Sequence, residues 1–455
     1  MKDMTEGPVT RHLLNMAGFM AMSMILQTLY LLADMFWVGF LGKEAIAALG
    51  VAGNLTMIVL ALTQMLSVGT TTVISHAAGQ KDQPRAELGF NQSLLISLVL
   101  GAFLAICGFL VRDLYCQSLA ADAKTAELAK EYLLWFIPGL ALQFPLVTLT
   151  ASLRATGVIK PAVGFPMLSV ALNMIIAPFL VLGIGFPRFG VAGAAFATFI
   201  SILIAEVLML IYFEKKYHYL RFRRSLLRPQ FAMWKKMLAI GVPAGAEFGL
   251  LFVYIFVVLI IIRDFGSAAQ AGFGIGMRVM QAMFLPVVAL AFSVAPVVGQ
   301  NFGGRRADRV RQTIYAALGI ACAFMVVLTL VAAAIPKILI GIFSHDPQVI
   351  AFGADYMRII SFNFVAAGIV FTASSAFQGI GNTWPPLLSS ASRLFLFALP
   401  AILISRMPHF EIKQIWYLSV ASQVFQAGIN LLFLRFEMRR KLNFDDQPGV
   451  AAVEV

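Results

Sequence analysis

The chain has 455 residues, 60% of them hydrophobic and 12% charged, with a mean hydropathy of +0.86 and a formal net charge of +12. A soluble globular chain carries about a quarter charged residues, so that class is excluded, and the absence of short alternating segments excludes a membrane β-barrel. The three cysteines, Cys107, Cys116 and Cys322, have neither metal nor redox spacing and read as apolar filler.

Apolar blocks recur from end to end, most of them reaching the roughly 20 residues that carry a helix across a bilayer core. They predict twelve spans: 13–40, 47–75, 90–111, 127–151, 162–185, 190–213, 237–262, 270–297, 313–340, 350–376, 386–405 and 414–434. The N-terminal stretch lacks a short apolar core with a small-residue cleavage site, so the first span is read as retained. With the N-terminus placed in the cytoplasm, segments on that side hold 22 Lys and Arg against 9 on the other. That is the positive-inside bias, and it puts both termini in the cytoplasm. The same distribution makes membrane lipids, and not nucleic acid, the partner of the basic charge. The run "EKKYHYLRFRRSLLRP" at 214–229 reads as a topology anchor at the headgroups.

The chain repeats itself. "LGKEAIAALGVA" resembles "FGSAAQAGFGIG", with Gly42 and Gly50 falling on Gly266 and Gly274 at an offset of 224. "LRATGVIKP" resembles "FQGIGNTWP" at the same offset, placing Gly157 on Gly381 and Pro161 on Pro385. "AAGQKDQPRA" resembles "VVGQNFGGRRA", with Gln80 on Gln300 at 220. Each copy holds six spans, so both start on the same side, as in parallel repeats about an axis along the membrane normal. The expected architecture is an all-α integral membrane protein of two six-helix lobes. These are an N-lobe over 1–213, a basic linker over 214–236, a C-lobe over 237–440 and a disordered tail over 441–455. Such a design is that of a transporter, with its site near the midplane.

No phosphate loop, His/Cys metal spacing or nucleophile elbow is present, so the chain is not read as an enzyme. Without an ATP site, transport must draw on an ion gradient. In the first span Ser23, Gln27, Tyr30 and Asp34 are spaced to share one helix face. A charge deep in a span costs at least about 2.5–3.5 kcal/mol, so Asp34 is expected to face a cavity or a partner. Glu247 and Tyr254 in the seventh span, seven apart, share a face in the same way, and Pro243 one turn earlier frees a backbone carbonyl. Glu206 reads as interfacial. Arg278, Arg358 and Arg393 lie within spans; Arg278 follows the flexible "GFGIGM", and Arg358 is three residues from Asp355, a spacing that permits an ion pair. The 21 Met and 39 Phe are mostly packing and lipid-facing residues. Met20 and Trp37 are candidates for a wall that accepts lipophilic cations.

Taken together, "QTLYLLADMFWVGFLG", "HAAGQKDQPRA", "LRATGVIKP", "GAAFAT" and "VVGQNFGGRRADRV", in this order and spacing, resemble the MATE multidrug and toxin extrusion transporters over about residues 10–440, and the DinF-type branch more than the NorM-type. The resemblance implies two bundles with a V-shaped cleft and export of cationic or amphipathic compounds against inward H⁺ or Na⁺. It implies Asp34 as the cation-coupling group, supported by Asn173 and Thr198. The chain departs from the pattern at Ala177, at Phe19 in place of a proline, and in the absence of an acid within "IISFNFVAAGIV". Na⁺ needs several oxygen ligands, whereas a proton needs one carboxylate. H⁺ is therefore the expected coupling ion, with no cofactor or metal, in a monomer of a prokaryotic inner membrane. The alternative is a lipid-linked precursor flippase of the same superfamily, for which cleft arginines would serve the diphosphate.

Overall fold

The computed structural model describes residues 1–183, 185 and 187–444, apart from the side chains of residues 30–35. The expected disordered tail lies outside the described residues from position 445 onward.

The chain is a run of helices: α1 (Val9–Gly39), α2 (Lys43–Gly79), α3 (Gln83–Leu119), α4 (Ala123–Ala155), α5 (Ile159–Leu182), α6 (Gly190–Lys215), α7 (Phe231–Ile262), α8 (Ser267–Gly303), α9 (Ala307–Ala334), α10 (Pro336–Gly341), α11 (Pro347–Ile360), α12 (Asn363–Ile380), α13 (Trp384–Ile404) and α14 (Ile412–Lys441). Among the described residues no strand occurs, and twelve helices are long and apolar enough to cross a membrane. Punctuation between them is local chemistry. Asp82 and Asp122 cap α3 and α4 by accepting the backbone N–H of Arg85 and Thr125 at 3.0 and 2.7 Å, which satisfies amides that have no intrahelical partner.

The internal repeat is written into the backbone. Gly42 and Gly266, Lys81 and Arg305, and Gly157 and Gly381 all adopt positive φ, each pair 224 residues apart. α2 and α8 begin and end at the same offset. This corrects the pairing of Gln80 with Gln300: Gln80 follows the last residue of α2, whereas Gln300 lies within the last turn of α8. "GFGIGM" is likewise not a flexible stretch but part of continuous α8. A Cβ on Gly272 would stand 2.9 Å from the Val349 carbonyl, and one on Gly276 would stand 2.6 Å from the Tyr356 ring. These glycines exist to let α11 approach.

The two copies differ where α4 has one 33-residue helix and its counterpart has two, α11 and α12. The expected span 350–376 is broken at Ser361 and Phe362, the repeat equivalents of Ile137 and Pro138. The copy with the proline stays continuous, and the copy without it breaks. At the break the Ser361 carbonyl accepts from Thr329 Oγ1 at 3.0 Å, and Ser361 Oγ donates to the Arg358 carbonyl at 3.0 Å. Side chains thus replace part of the helical ladder, as polar groups away from water require.

Two compact units emerge: Met1–Asp3 with Met22–Gly245, and Met4–Ala21 with Ala246–Val455. The expected lobes 1–213 and 237–440 differ from these units within the first and seventh helices, where helix membership changes at Met22 and Ala246, again 224 apart. Close backbone approach explains the seventh helix. In the first unit a Cβ on Gly241 would run into the Met65 carbonyl, and one on Gly69 would lie 2.7 Å from that of Met237. In the second unit the N-terminal segment is pinned at Met4. Its N–H donates to Gln300 Oε1 at 2.9 Å, and its carbonyl accepts from Asn301 Nδ2 and Arg309 Nη2, each at 3.2 Å.

The basic run after α6 is a fixed strap on α3. Gln83 Nε2 donates to the Tyr219 carbonyl, Asn91 Nδ2 to that of Arg221, and Gln92 Nε2 to those of Leu226 and Arg228, at 3.1, 2.9, 2.6 and 2.7 Å. Buried Glu87 pairs with Arg223 Nε at 2.9 Å. The Tyr217 hydroxyl donates to Thr156 Oγ1 at 2.6 Å, and burial holds its pKa above the ordinary phenol value.

Candidate functional site

In the first unit, α5 and α6 bring Asn173 and Thr198 together. Asn173 Nδ2 donates to Thr198 Oγ1 at 2.9 Å, and that hydroxyl donates to the Ala194 carbonyl at 3.2 Å. Both residues are buried. Trp37, from the last turn of α1, packs on a small cluster of Ala177, Leu180 and Ala197 on the same two helices. Asp34 lies one helical turn before Trp37 on α1; its side chain, like that of Tyr30, lies outside the described residues. Gln27 is exposed and donates to buried Ser23 at 3.3 Å. Met20 is buried but belongs to the second unit, so these span-one positions are divided.

Glu206 is not interfacial as expected. It is 7% exposed, and its Oε2 is buried with no hydrogen-bond partner. The hydropathy of α6 continues past it on every side, which a single carboxylate does not interrupt.

The second unit holds the more complete constellation. Glu247, half-buried on α7, accepts at Oε1 from Ser374 Oγ of α12 at 2.7 Å and from Ser390 Oγ of α13 at 3.3 Å. Gln426 Nε2 of α14 donates to Ser390 Oγ at 2.9 Å. Four helices thus converge on one carboxylate through a hydroxyl chain, and Gln426 Oε1 stays buried without a partner. Hydroxyls can turn to donate or accept, so the set can hold this carboxyl with or without its proton. Two turns along α7, the Tyr254 hydroxyl shares a hydrogen bond with Ser419 Oγ at 2.7 Å, and Asn363 Nδ2 donates to the same oxygen at 3.2 Å.

Of the three span arginines, Arg278 and Arg358 are exposed. The expected Asp355–Arg358 pair does not form, because Lys413 Nζ lies 3.0 Å from Asp355 Oδ2. Arg393 sits at the middle of α13 with its guanidinium carbon 4.4 Å from the Tyr254 ring centre. A desolvated cation–π contact is worth about 2 kcal/mol. That falls short of the about 2.5–3.5 kcal/mol that a central membrane charge costs at least.

The partners of Glu247 escape a reading of sequence because Ser374, Ser390 and Gln426 are scattered singly through apolar spans. The one usable signal is that each is a polar residue inside a span. Among the described residues, no group of three or more His, Cys, Asp or Glu could hold a metal ion.

Comparison with known proteins follows the repeat. The MatE family model matches residues 20–179 and 243–404, one match in each copy. The FAD transporter of Shewanella oneidensis is 28% identical, over 88% of this chain and 89% of that protein. The multidrug export protein MepA of Staphylococcus haemolyticus is 26% identical, over 97% and 96%. A multidrug resistance MATE family transporter of the MOP superfamily, solved in an outward-facing conformation, superposes with a TM-score of 0.89 at 23% identity, covering 96% of this chain and 98% of that one.

Proposed function

The chain belongs to the MatE family of multi-pass membrane transporters, which are not enzymes, and from that premise we propose that it is a proton-driven antiporter exporting lipophilic cations. It works by alternating access from a prokaryotic inner membrane, with both termini in the cytoplasm and a monomer as the working form. Asp34, supported by Asn173 and Thr198, couples in the first unit, and Glu247 provides the carboxylate of the second. The single observation carrying the reading is the Gln426–Ser390–Glu247–Ser374 chain. It holds an acid inside a membrane helix with hydroxyls that serve either protonation state. The packing of Trp37 on Ala177 and Ala197, on the helices that carry Asn173 and Thr198, supports the first-unit role. Lipophilic cations suit Gln27, Tyr30, Met20, Trp37 and Tyr254, which offer polar, thioether and aromatic contacts.

The energetics suffice. One proton crossing 100 mV yields about 2.3 kcal/mol, and one pH unit adds about 1.4 kcal/mol. Together they sustain roughly a 400-fold gradient of a neutral substrate; a monovalent cation exchanged one for one moves no net charge, and the pH term alone sustains about a tenfold gradient of it.

Ethidium efflux from proteoliposomes under a pH gradient without Na⁺, and under a Na⁺ gradient without ΔpH, tests the reading. Efflux on ΔpH alone, lost in Asp34→Asn and reduced in Glu247→Gln, is expected. Efflux that requires Na⁺ would sink the proton coupling. The relative named as an FAD transporter makes FAD the first anionic compound to try beside ethidium.

A further inference from the structure

Arg393 is left out of the coupling chain, and its surroundings are incomplete in a specific way. Its Nε is buried without a hydrogen-bond partner. Among the described residues no carboxylate lies within ion-pair distance of it, and the charged form is met by Tyr254, through the ring centre 4.4 Å away and a hydrogen bond to the tyrosine side chain. That ring is held in place: its hydroxyl pairs with Ser419 Oγ at 2.7 Å, which also accepts from Asn363. Asn363 Oδ1 is itself buried and unpartnered. Glu247, two turns before Tyr254 on α7, is engaged by Ser374 and Ser390 and leaves Arg393 without a counter-charge.

The second unit therefore presents a planar cation whose Nε donor is unused, inside a membrane span, on the helix that also supplies Ser390 to the coupling carboxylate. A guanidinium fork matches carboxylate and phosphate oxygens in pairs. A purely structural arginine would be expected to meet an acid or several carbonyls at this depth. We propose that Arg393 is an anion-recognition point of the transport site, taking the carboxylate or phosphate group of an amphipathic substrate. The substrate class then widens from lipophilic cations to zwitterions and organic anions. The proposal rests on the transport reading above, since a carrier brings its substrate inside the membrane spans.

The test uses the full chain in phosphatidylcholine proteoliposomes, with and without phosphatidylglycerol, and two probes: cationic ethidium and anionic carboxyfluorescein. Binding and efflux of both are measured for wild type, Arg393→Lys and Arg393→Gln, with the thermal midpoint of each protein. Wild type is expected to bind carboxyfluorescein. Arg393→Gln should lower the ratio of carboxyfluorescein to ethidium affinity by about tenfold or more, the scale of one lost charge-assisted hydrogen bond. Arg393→Lys, a point charge without the fork, should fall between. Absence of carboxyfluorescein binding in wild type overturns the proposal. So does a parallel loss of both probes together with a lowered thermal midpoint, the mark of a cation–π contact that serves packing alone. A loss confined to vesicles with phosphatidylglycerol would assign the anion to a lipid headgroup and overturn the substrate assignment. Failure of ΔpH-driven ethidium efflux with the Arg393-dependent ratio intact would sink the antiport reading and leave the anion point standing.

Discussion

Glu247 receives its hydrogen bonds from residues 127 and 143 positions away, so the charge was legible in the sequence and its setting was not. An acid in an apolar helix announces itself through desolvation cost; a serine does not, because a hydroxyl can satisfy itself on its own helix. Hydrogen bonds to charged groups contribute roughly 1.5–3 kcal/mol. Ser374, at the shorter distance, should matter more than Ser390: ΔpH-driven ethidium efflux is expected to fall further in Ser374→Ala than in Ser390→Ala, and equal rates would argue against the chain. Asp122 offers a pH test outside the membrane. The Thr125 backbone and side chain draw its carboxyl below the usual value, so its cap favours the ionised form. That stabilisation is fully present above the unfolded value of about 3.9 and is lost as pH falls through the lower folded value. Asp122→Ala should lower the thermal midpoint at pH 6, with the difference shrinking as pH falls below the ordinary carboxylate value of about 3.9.

Helices were the most legible elements, because hydropathy and length report spanning directly. The break between α11 and α12 was not, since apolar composition runs straight through it and the decisive contact comes from Thr329 on α9. Helix contact is set by glycine in a way that a sequence reader assigns to flexibility. At Gly241 a Cβ would run into the Met65 carbonyl, while at Gly249 nothing lies within 4 Å. Gly241→Ala is therefore expected to destabilise by about 1–3 kcal/mol through overpacking, with Gly249→Ala as the neutral control; thermal unfolding of the two proteins decides it. The strap gives a second element-scale test. Gln92 is fully buried, donates to two strap carbonyls and accepts from the Gln230 N–H at 2.9 Å and from Trp234 Nε1 at 2.7 Å. Gln92→Ala strands four polar groups and should free the backbone around Arg223 and Arg224, seen as faster tryptic cleavage there with α3 intact.

For the whole molecule, the repeat offset of 224 was legible from glycines that take positive φ, a conformation that L residues with a Cβ adopt at a cost of about 1–2 kcal/mol. What the repeat could not reveal is that each unit includes a stretch of the other copy's first helix, Met4–Ala21 in one and the part of α7 up to Gly245 in the other. That exchange is tertiary and leaves no local trace. It has a consequence for how the protein is made. Synthesis proceeds at about 5–20 residues per second, so the first unit waits roughly 10–50 s for the segment ending at Gly245 to leave the ribosome. Residues 4–21 are made first, and the unit they join is made last. Until then Gly69 has no neighbour at its closest approach, and Met4 has no acceptor for its N–H. Translocon occupancy and chaperone contact should therefore persist on arrested chains that end before α7 and fall once the chain passes it.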